Sequence, residues 1–282
     1  MSIRKTAMVI IVLAFIASDF RPCLCVTAGN KIPDKGDKGI MQANKPAFTF
    51  DRGAITRGPR DRKMIALIFT GGSFAEGGAT ILNELKQRGI KGAFFFTGDF
   101  YRMDEFKPII ERIRDEGHYI GPHSDRHLLY ASWENPPKLL ITRDVFDSDL
   151  DANFDTMAKL GIRKEQARFF IPPYEHYTPE IAEWTAARGM VLFNFSPGTR
   201  TNADYMEDDD PGYVTSEEMV ASVYEKEESD LDGLNGFLIL AHIGAGRGRT
   251  RDHLFNHLGE MIDELSRRGY KFIRIDEMLK GA

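Results

Sequence analysis

The sequence predicts an α/β fold, a single (β/α)7 barrel of the TIM-barrel type, on three observations. Short apolar runs of strand length alternate with helical stretches from Met64 to the C-terminal end. The runs are apolar on both faces, as strands of a parallel sheet covered by helices must be. Seven such runs occur with no Gly-rich dinucleotide fingerprint, which favours a closed barrel over an open doubly wound sheet.

The first run, MIALIFT (64–70), ends in Gly-rich turn residues and leads to a helix with Ile81, Leu82 and Leu85 on one stripe, stopping near Gly89. The second, GAFFFTG (92–98), precedes a helix whose Phe106, Ile109, Ile110 and Ile113 recur with helical spacing. HYIG (118–121) is a third, short strand, and a long helix covers 143–160. ARFFI (167–171) and MVLFNF (190–195) are strands separated by a helix near 178–188. FLILAH (237–242) lies between helices expected at 216–229 and 251–268, and YKFIRI (270–275) closes the series.

The chain has 282 residues, 42% hydrophobic and 28% charged, with a net charge of −5 and two cysteines. That composition excludes wholesale disorder and a disulfide scaffold, and it gives no reason to expect nucleic acid as a partner. Arg4 and Lys5 precede an apolar run over 7–17, too short for a membrane span but long enough for an export signal. With small residues ending at Ala28, residues 1–28 read as a signal peptide, which implies a periplasmic or extracellular protein. Acylation of Cys23 or Cys25 would give a lipid anchor, the one membrane contact considered, but the residues before them do not match an acylation site. Residues 29–60 read as a linker or extension, and 61–282 as the barrel.

In a parallel barrel the functional groups sit at the carboxyl ends of the strands. His123, His127 and His242 fall there. His123 and His127, four apart, suit two nitrogen ligands of a divalent metal such as zinc. His242, ending an apolar strand, suits proton donation to a leaving group. By contrast, His253 and His257 flank the core stripe of an outer helix and read as surface, and His118 precedes its strand and reads as structural. The rigid Pro172-Pro173-Tyr174 turn could present a backbone N–H to an oxyanion. Aromatics on the rim, among them Tyr130, Trp133, Tyr174, Tyr177 and Tyr205, suit sugar faces.

The order of AFFFTG, GPHSDRH, PPY and LAH resembles the polysaccharide deacetylases, the NodB-homology carbohydrate esterases, from about Met64 to Leu279. The resemblance implies a (β/α)7 barrel that removes acetyl groups from a polysaccharide or oligosaccharide. It implies that His123 and His127 hold a divalent metal, usually zinc, that the Tyr174 N–H binds the oxyanion, and that His242 is the general acid. Two motifs depart from the pattern. The family's A-L-T-F-D-D-G falls on Ala66-Leu67-Ile68-Phe69-Thr70-Gly71-Gly72, so both aspartates, base and metal ligand, are missing. The arginine that tethers the base is replaced by Ile171. Asp51, in TFDRG, imitates the motif but lies too far upstream.

Asp125 and Glu175 are candidates for the missing base, with Glu76 a further carboxylate after the first strand. Arg200, Pro173 and Tyr177 are candidates for substrate binding, and Arg200 or Asp204 could orient His242. The sequence therefore predicts a secreted metal-dependent hydrolase acting on a carbon–nitrogen or ester bond of an acetylated glycan. Its alternative is a retired barrel that binds carbohydrate without turning it over.

Overall fold

The computed structural model describes residues 48–282; the apolar leader, both cysteines and residues 29–47 lie outside the described residues. The described part opens with a hairpin, β1 (Thr49–Asp51) and β2 (Ala54–Arg57). It turns at Arg52-Gly53, where Gly53 takes the left-handed φ of 87°. The alternating units follow: β3 (Met64–Gly71), α1 (Gly78–Gln87), β4 (Ala93–Phe96), α2 (Gly98–Arg102), α3 (Lys107–Asp115), β5 (Tyr119–Pro122) and α4 (Arg143–Lys159). The chain continues through β6 (Phe169–Phe170), α5 (Pro179–Ala187), β7 (Val191–Leu192), α6 (Ser216–Ser229), β8 (Phe237–His242), α7 (Leu258–Arg267), β9 (Lys271–Phe272) and α8 (Ile275–Met278). All seven expected runs contain strand.

Parallel ladders run continuously through β5, β4, β3 and β8, and β6 pairs with β7. The two groups are stitched by isolated bonds outside the ladders. The Phe169 N–H donates to the Tyr119 hydroxyl at 2.9 Å, and the Ser196 N–H donates to the Leu238 carbonyl at 3.0 Å. β6 is short because Pro172 and Pro173 lack the N–H that would extend its ladder. β9 reaches β3 only at Met64 and Ile65.

The part of the wall between β7 and β8 is backed by β2, which the sequence assigned to the lead-in. Ile55 bridges Phe193 in parallel, the Asn194 N–H donates to the Ile55 carbonyl at 2.8 Å, and the Ser196 hydroxyl donates to the Thr56 carbonyl at 2.5 Å. All of β2 is buried, Arg57 included, because its guanidinium meets Asp230 at 2.9 Å and the carbonyls of Asn235 and Gly233 at 2.7 Å. The barrel domain therefore begins before residue 61. The helix expected from 251 begins at Leu258. Asp252 is instead engaged by the Ser216 N–H at 2.6 Å and the Tyr213 hydroxyl at 2.7 Å, holding that segment against the start of α6.

Period-two alternation sorts the side chains of β3. Ala66 and Ile68 join Phe95, Phe169, Phe193, Leu238 and Leu240 in the barrel interior, and Ile275, Met278 and Leu279 belong to the same cluster. Leu67 and Phe69 face outward with Phe94 and Phe96, onto the helix faces. Each fully buried large side chain of this kind contributes about 2 kcal/mol. The carboxyl ends of the strands are thus held on a packed frame.

Candidate active site

A cavity of about 970 Å³ opens where the strands end, and His123, His127, Tyr174, Glu175 and His242 all line it. His123 follows β5. Its ring Nδ1 lies 2.9 Å from the Ile171 carbonyl, which can only accept, so Nδ1 carries the proton and Nε2 presents a lone pair. His127 reaches back from a left-handed residue (φ 53°) to place its Nε2 3.2 Å from that lone pair.

Burial, then the His127 ring, hold His123 well below its ordinary pKa. Burial, then His242, push His127 down to about 4. Both rings are therefore neutral at pH 7. Two nitrogens bound at 2.0–2.1 Å to one tetrahedral zinc lie about 3.3 Å apart, so this pair fits one edge of such a site. Among the described residues no group of three His, Cys, Asp or Glu side chains is assembled as a metal site. The donor set fits a divalent cation held by two imidazoles, with its other positions left to water or substrate.

The loop carrying the pair is fixed from below by α4. The Asp149 carboxylate accepts from the N–H groups of Asp125 at 2.9 Å and Arg126 at 3.1 Å, and from the Tyr130 hydroxyl at 3.2 Å. Asn153 Nδ2 donates to the Ser124 carbonyl at 2.6 Å. Sequence reasoning missed both residues. The signal was there: they sit four apart on a helix stripe otherwise formed by Phe146, Leu150, Phe154 and Met157.

Across the cavity His242 ends β8. Asp204 grips it twice, with Oδ1 2.6 Å from Nδ1 and Oδ2 accepting from the backbone N–H at 2.8 Å, which leaves Nε2 free. Burial pulls this imidazole down, but the charge and hydrogen bond of Asp204, with Glu175 beyond, outweigh it and hold the pKa above its ordinary value. Of the two residues offered to orient His242, Asp204 is the one in place.

Tyr174 and Glu175 are consecutive left-handed residues, φ 58° and 52°. Such backbone is rare outside glycine. The Pro172-Pro173 turn and a bond from Asn194 Nδ2 to the Glu175 carbonyl at 2.7 Å hold it. The Tyr174 N–H meets no acceptor among the described residues. Glu175 Oε1 lies 3.8 Å from His123 Nε2, and burial pushes the carboxyl up to about 7, with Asp204 adding to the shift and His242 opposing it.

Other expected site residues are placed elsewhere. Asp125 is buried outside the cavity, with its carboxylate on Arg102 at 2.7 and 3.1 Å, because left-handed Ser124 turns the next side chain under α2; it is not the base. Arg200 is exposed and absent from the cavity lining, and its backbone N–H donates to the Ser222 hydroxyl at 2.9 Å. Pro173 is buried in the turn and sets its shape without lining the cavity. Tyr177 is fully buried, its hydroxyl donating to the Asp51 carbonyl at 3.1 Å, so it supports the hairpin and not a substrate. Asp51 itself stands at the cavity mouth with Arg52 at 3.0 Å. Glu76 accepts from the N–H groups of Ala245 and Gly246 at 2.7 Å and fixes the loop after His242. His253 and His257 stay off the cavity, and His118 is buried, accepting from the Gly92 N–H at 3.0 Å.

The end of β3 carries no carboxylate. Thr70 lines the cavity with a buried hydroxyl that finds no partner among the described residues. A Cβ on Gly71 would lie 2.7 Å from Ile243 and close to the Phe96 and Phe100 rings.

Residues 57–193 match the family model for polysaccharide deacetylase. The domain they form belongs to the polysaccharide deacetylase family. Among its relatives is a peptidoglycan-N-acetylglucosamine deacetylase of Bacillus cereus, 26% identical over 224 residues, which are 79% of this chain and 91% of the relative. A peptidoglycan-N-acetylmuramic acid deacetylase of Bacillus subtilis is 26% identical over 249 residues, 88% of this chain and 81% of the other. Two solved structures share the fold. A family 4 carbohydrate esterase of Bacillus subtilis superimposes with a TM-score of 0.63 at 22% identity, covering 81% of this chain and 85% of that one. A family 4 pseudoenzyme of Bacillus anthracis gives 0.62 at 20% identity, covering 84% and 70%.

Proposed function

We propose that this chain is an exported, cation-dependent hydrolase that releases acetate from acetylated amino sugars of a polysaccharide, with peptidoglycan as the substrate its relatives suggest. The observation that carries this reading is the neutral His123–His127 pair lining one cavity with the His242–Asp204 couple. His123 and His127 would hold the cation, zinc in the first instance, which supplies Lewis acidity toward the acetyl carbonyl. The Tyr174 N–H donates to the oxygen that becomes negative as water adds to that carbonyl. Glu175, poised near neutral, takes a proton from the attacking water, while His242 delivers its own to the departing nitrogen. One C–O bond forms, the C–N bond breaks, and acetate and a free amine result.

The test is acetate release from an N-acetylglucosamine hexasaccharide and from peptidoglycan. Release that a chelator abolishes, added zinc restores and His123→Ala removes supports the reading. No release from any acetylated glycan, with zinc, cobalt or manganese supplied, sinks it. A second reading, a retired barrel that binds glycan, is favoured by the carboxylate-free end of β3, and saturable glycan binding without turnover would establish it.

A further inference from the structure

The wall of the cavity carries one buried hydroxyl that the acetyl chemistry leaves idle. Thr70 is 1% exposed, and its Oγ1 meets no partner among the described residues. Period-two alternation puts it on the interior face of β3 with Ala66 and Ile68. Its neighbours on that face follow from the ladders. Along β3, Ile68 lies on one side and Gly72, which has no side chain, on the other. Across the sheet, Phe95 of β4 and His242 of β8 are its partners in parallel register. Adjacent strands lie about 4.8 Å apart, so of these four neighbours the His242 imidazole alone is polar and within reach of a shared hydrogen-bonding partner.

A buried hydroxyl left unpaired carries a desolvation cost that a valine would not, and in a native protein such a group calls for a reason. His242 is left in a similar state. Asp204 occupies its Nδ1 at 2.6 Å, which leaves Nε2 to the cavity that both residues line. A secondary amide being cleaved makes two demands at its nitrogen: a proton for the lone pair and an acceptor for the N–H. An acetyl ester makes only the first kind of demand, because its leaving oxygen bears no hydrogen.

We propose that the Thr70 hydroxyl accepts the scissile N–H of an N-acetyl amino sugar, holds that nitrogen against the proton on His242 Nε2, and so selects N-acetyl over O-acetyl groups. This rests on the deacetylase reading for what happens at the nitrogen, but contact and chemistry are separable by experiment. A hydroxyl oxygen has two lone pairs and can accept here while its own hydrogen turns elsewhere. A site that pairs a substrate N–H discriminates against the analogue lacking it, because the buried acceptor is then left alone. The ester oxygen, a poor acceptor, offers the hydroxyl little in exchange. Thr70 is therefore a specificity-determining residue, and its hydroxyl is the part of the side chain that matters.

Thr70→Val keeps the β-branched shape that suits a strand, and Thr70→Ser keeps the hydroxyl. The substrates are an N-acetylglucosamine hexasaccharide and the matching glucose hexasaccharide acetylated on O2. In Thr70→Val, kcat/KM for the amide is expected to fall about tenfold or more while that for the ester changes less than about twofold. Thr70→Ser is expected to keep the wild-type preference. An amide-to-ester ratio unchanged in Thr70→Val overturns the proposal, whether both rates hold or both fall. Calorimetry in chelator reads the contact without turnover. There Thr70→Val is expected to bind the amide about tenfold more weakly than wild type and the ester equally well. Equal amide affinity in the two proteins overturns the proposal, and so does absence of amide binding to wild type. An amide preference in binding that Thr70→Val loses, with no acetate released from either substrate, refutes the deacetylase reading alone.

Discussion

Gly71→Asp would put a carboxylate at the end of β3, where the resemblance to the family motif leads one to expect it. The structure predicts that this substitution damages the protein instead of repairing it. Gly71 follows Leu67 and Phe69 on the outward face of β3. A Cβ there would stand 2.7 Å from Ile243 Cγ2, 3.1 Å from Phe96 Cδ1 and 3.2 Å from Phe100 Cε2, where ordinary contact starts at 3.4 Å. Closing that shortfall in a packed layer costs roughly 1–3 kcal/mol. The carboxylate would also be buried beside rings that are themselves fully buried, adding about 2 kcal/mol or more even if it protonates. A total of about 4 kcal/mol is a large share of a 5–15 kcal/mol stability. At roughly 2–4 °C per kcal/mol for a chain of this size, the melting temperature falls by about 10 °C. Gly72→Asp is the matched control: both glycines line the cavity, but a Cβ on Gly72 meets only Thr97, at an ordinary 3.8 Å from Cγ2 and 4.0 Å from Oγ1. Thermal unfolding by circular dichroism reads stability, and calorimetric zinc titration reads the site. A Gly71→Asp protein as stable as wild type that also binds zinc more tightly would refute the packing argument.

Three further outcomes follow from the electrostatics and hydrogen bonding of the cavity. Glu175 titrates near 7 when folded against 4.5 as a free side chain, so folding carries no such penalty below pH 4.5 and about 3 kcal/mol of it above pH 7. In chelator, Glu175→Gln should therefore gain stability relative to wild type as pH rises through that window, and an unchanged difference in denaturant midpoints at pH 4.5 and 8 would contradict it. Asp204→Asn removes the charge that holds His242 above its ordinary value, so the loss of activity at high pH should move to lower pH and kcat should fall roughly 10²-fold; an unmoved pH–rate profile would exclude His242 as the proton donor. Thr70→Val deletes a buried hydroxyl that has no partner among the described residues, so the free protein should gain about 1 kcal/mol in chemical denaturation, and a loss of that size would show the hydroxyl to be hydrogen-bonded.

The frame was legible because its signals are local. Four to eight apolar residues in a row, as in MIALIFT or FLILAH, can hardly be anything but buried wall, and each strand's carboxyl end then locates the rim. β2 was not legible, because AITR offers two apolar residues and an arginine. Its burial depends on Asp230 and on carbonyls at 233 and 235, more than 170 positions away. The rim histidines were found from position alone. Which neighbouring carboxylate faces them was not, since Asp125 and Glu175 look equivalent until the backbone is known. Left-handed Ser124 turns one away, while left-handed Tyr174 and Glu175 turn the other in. A non-glycine residue carries little local signal for that conformation.

The same contrast explains how such a site can keep its chemistry while changing its carboxylates. A strand position is constrained on both sides. At Gly71 the outward face is filled by Ile243, Phe96 and Phe100, so packing leaves little room there for a side chain. A turn residue faces solvent on one side and needs only a tolerated backbone conformation to reach the cavity. Glu175 meets that condition: it sits on a proline-fixed turn, is tied by Asn194, and puts its carboxylate 3.8 Å from the ligand nitrogen of His123. The His242 backbone pairs with Thr70 at the end of β3, but the imidazole rings are held from other elements, by Asp149 beneath their loop, the Ile171 carbonyl and Asp204. An end of β3 without a carboxylate is thus compatible with ordered rings around the cavity, and Glu175, on the turn after β6, puts a carboxylate beside the His123–His127 pair.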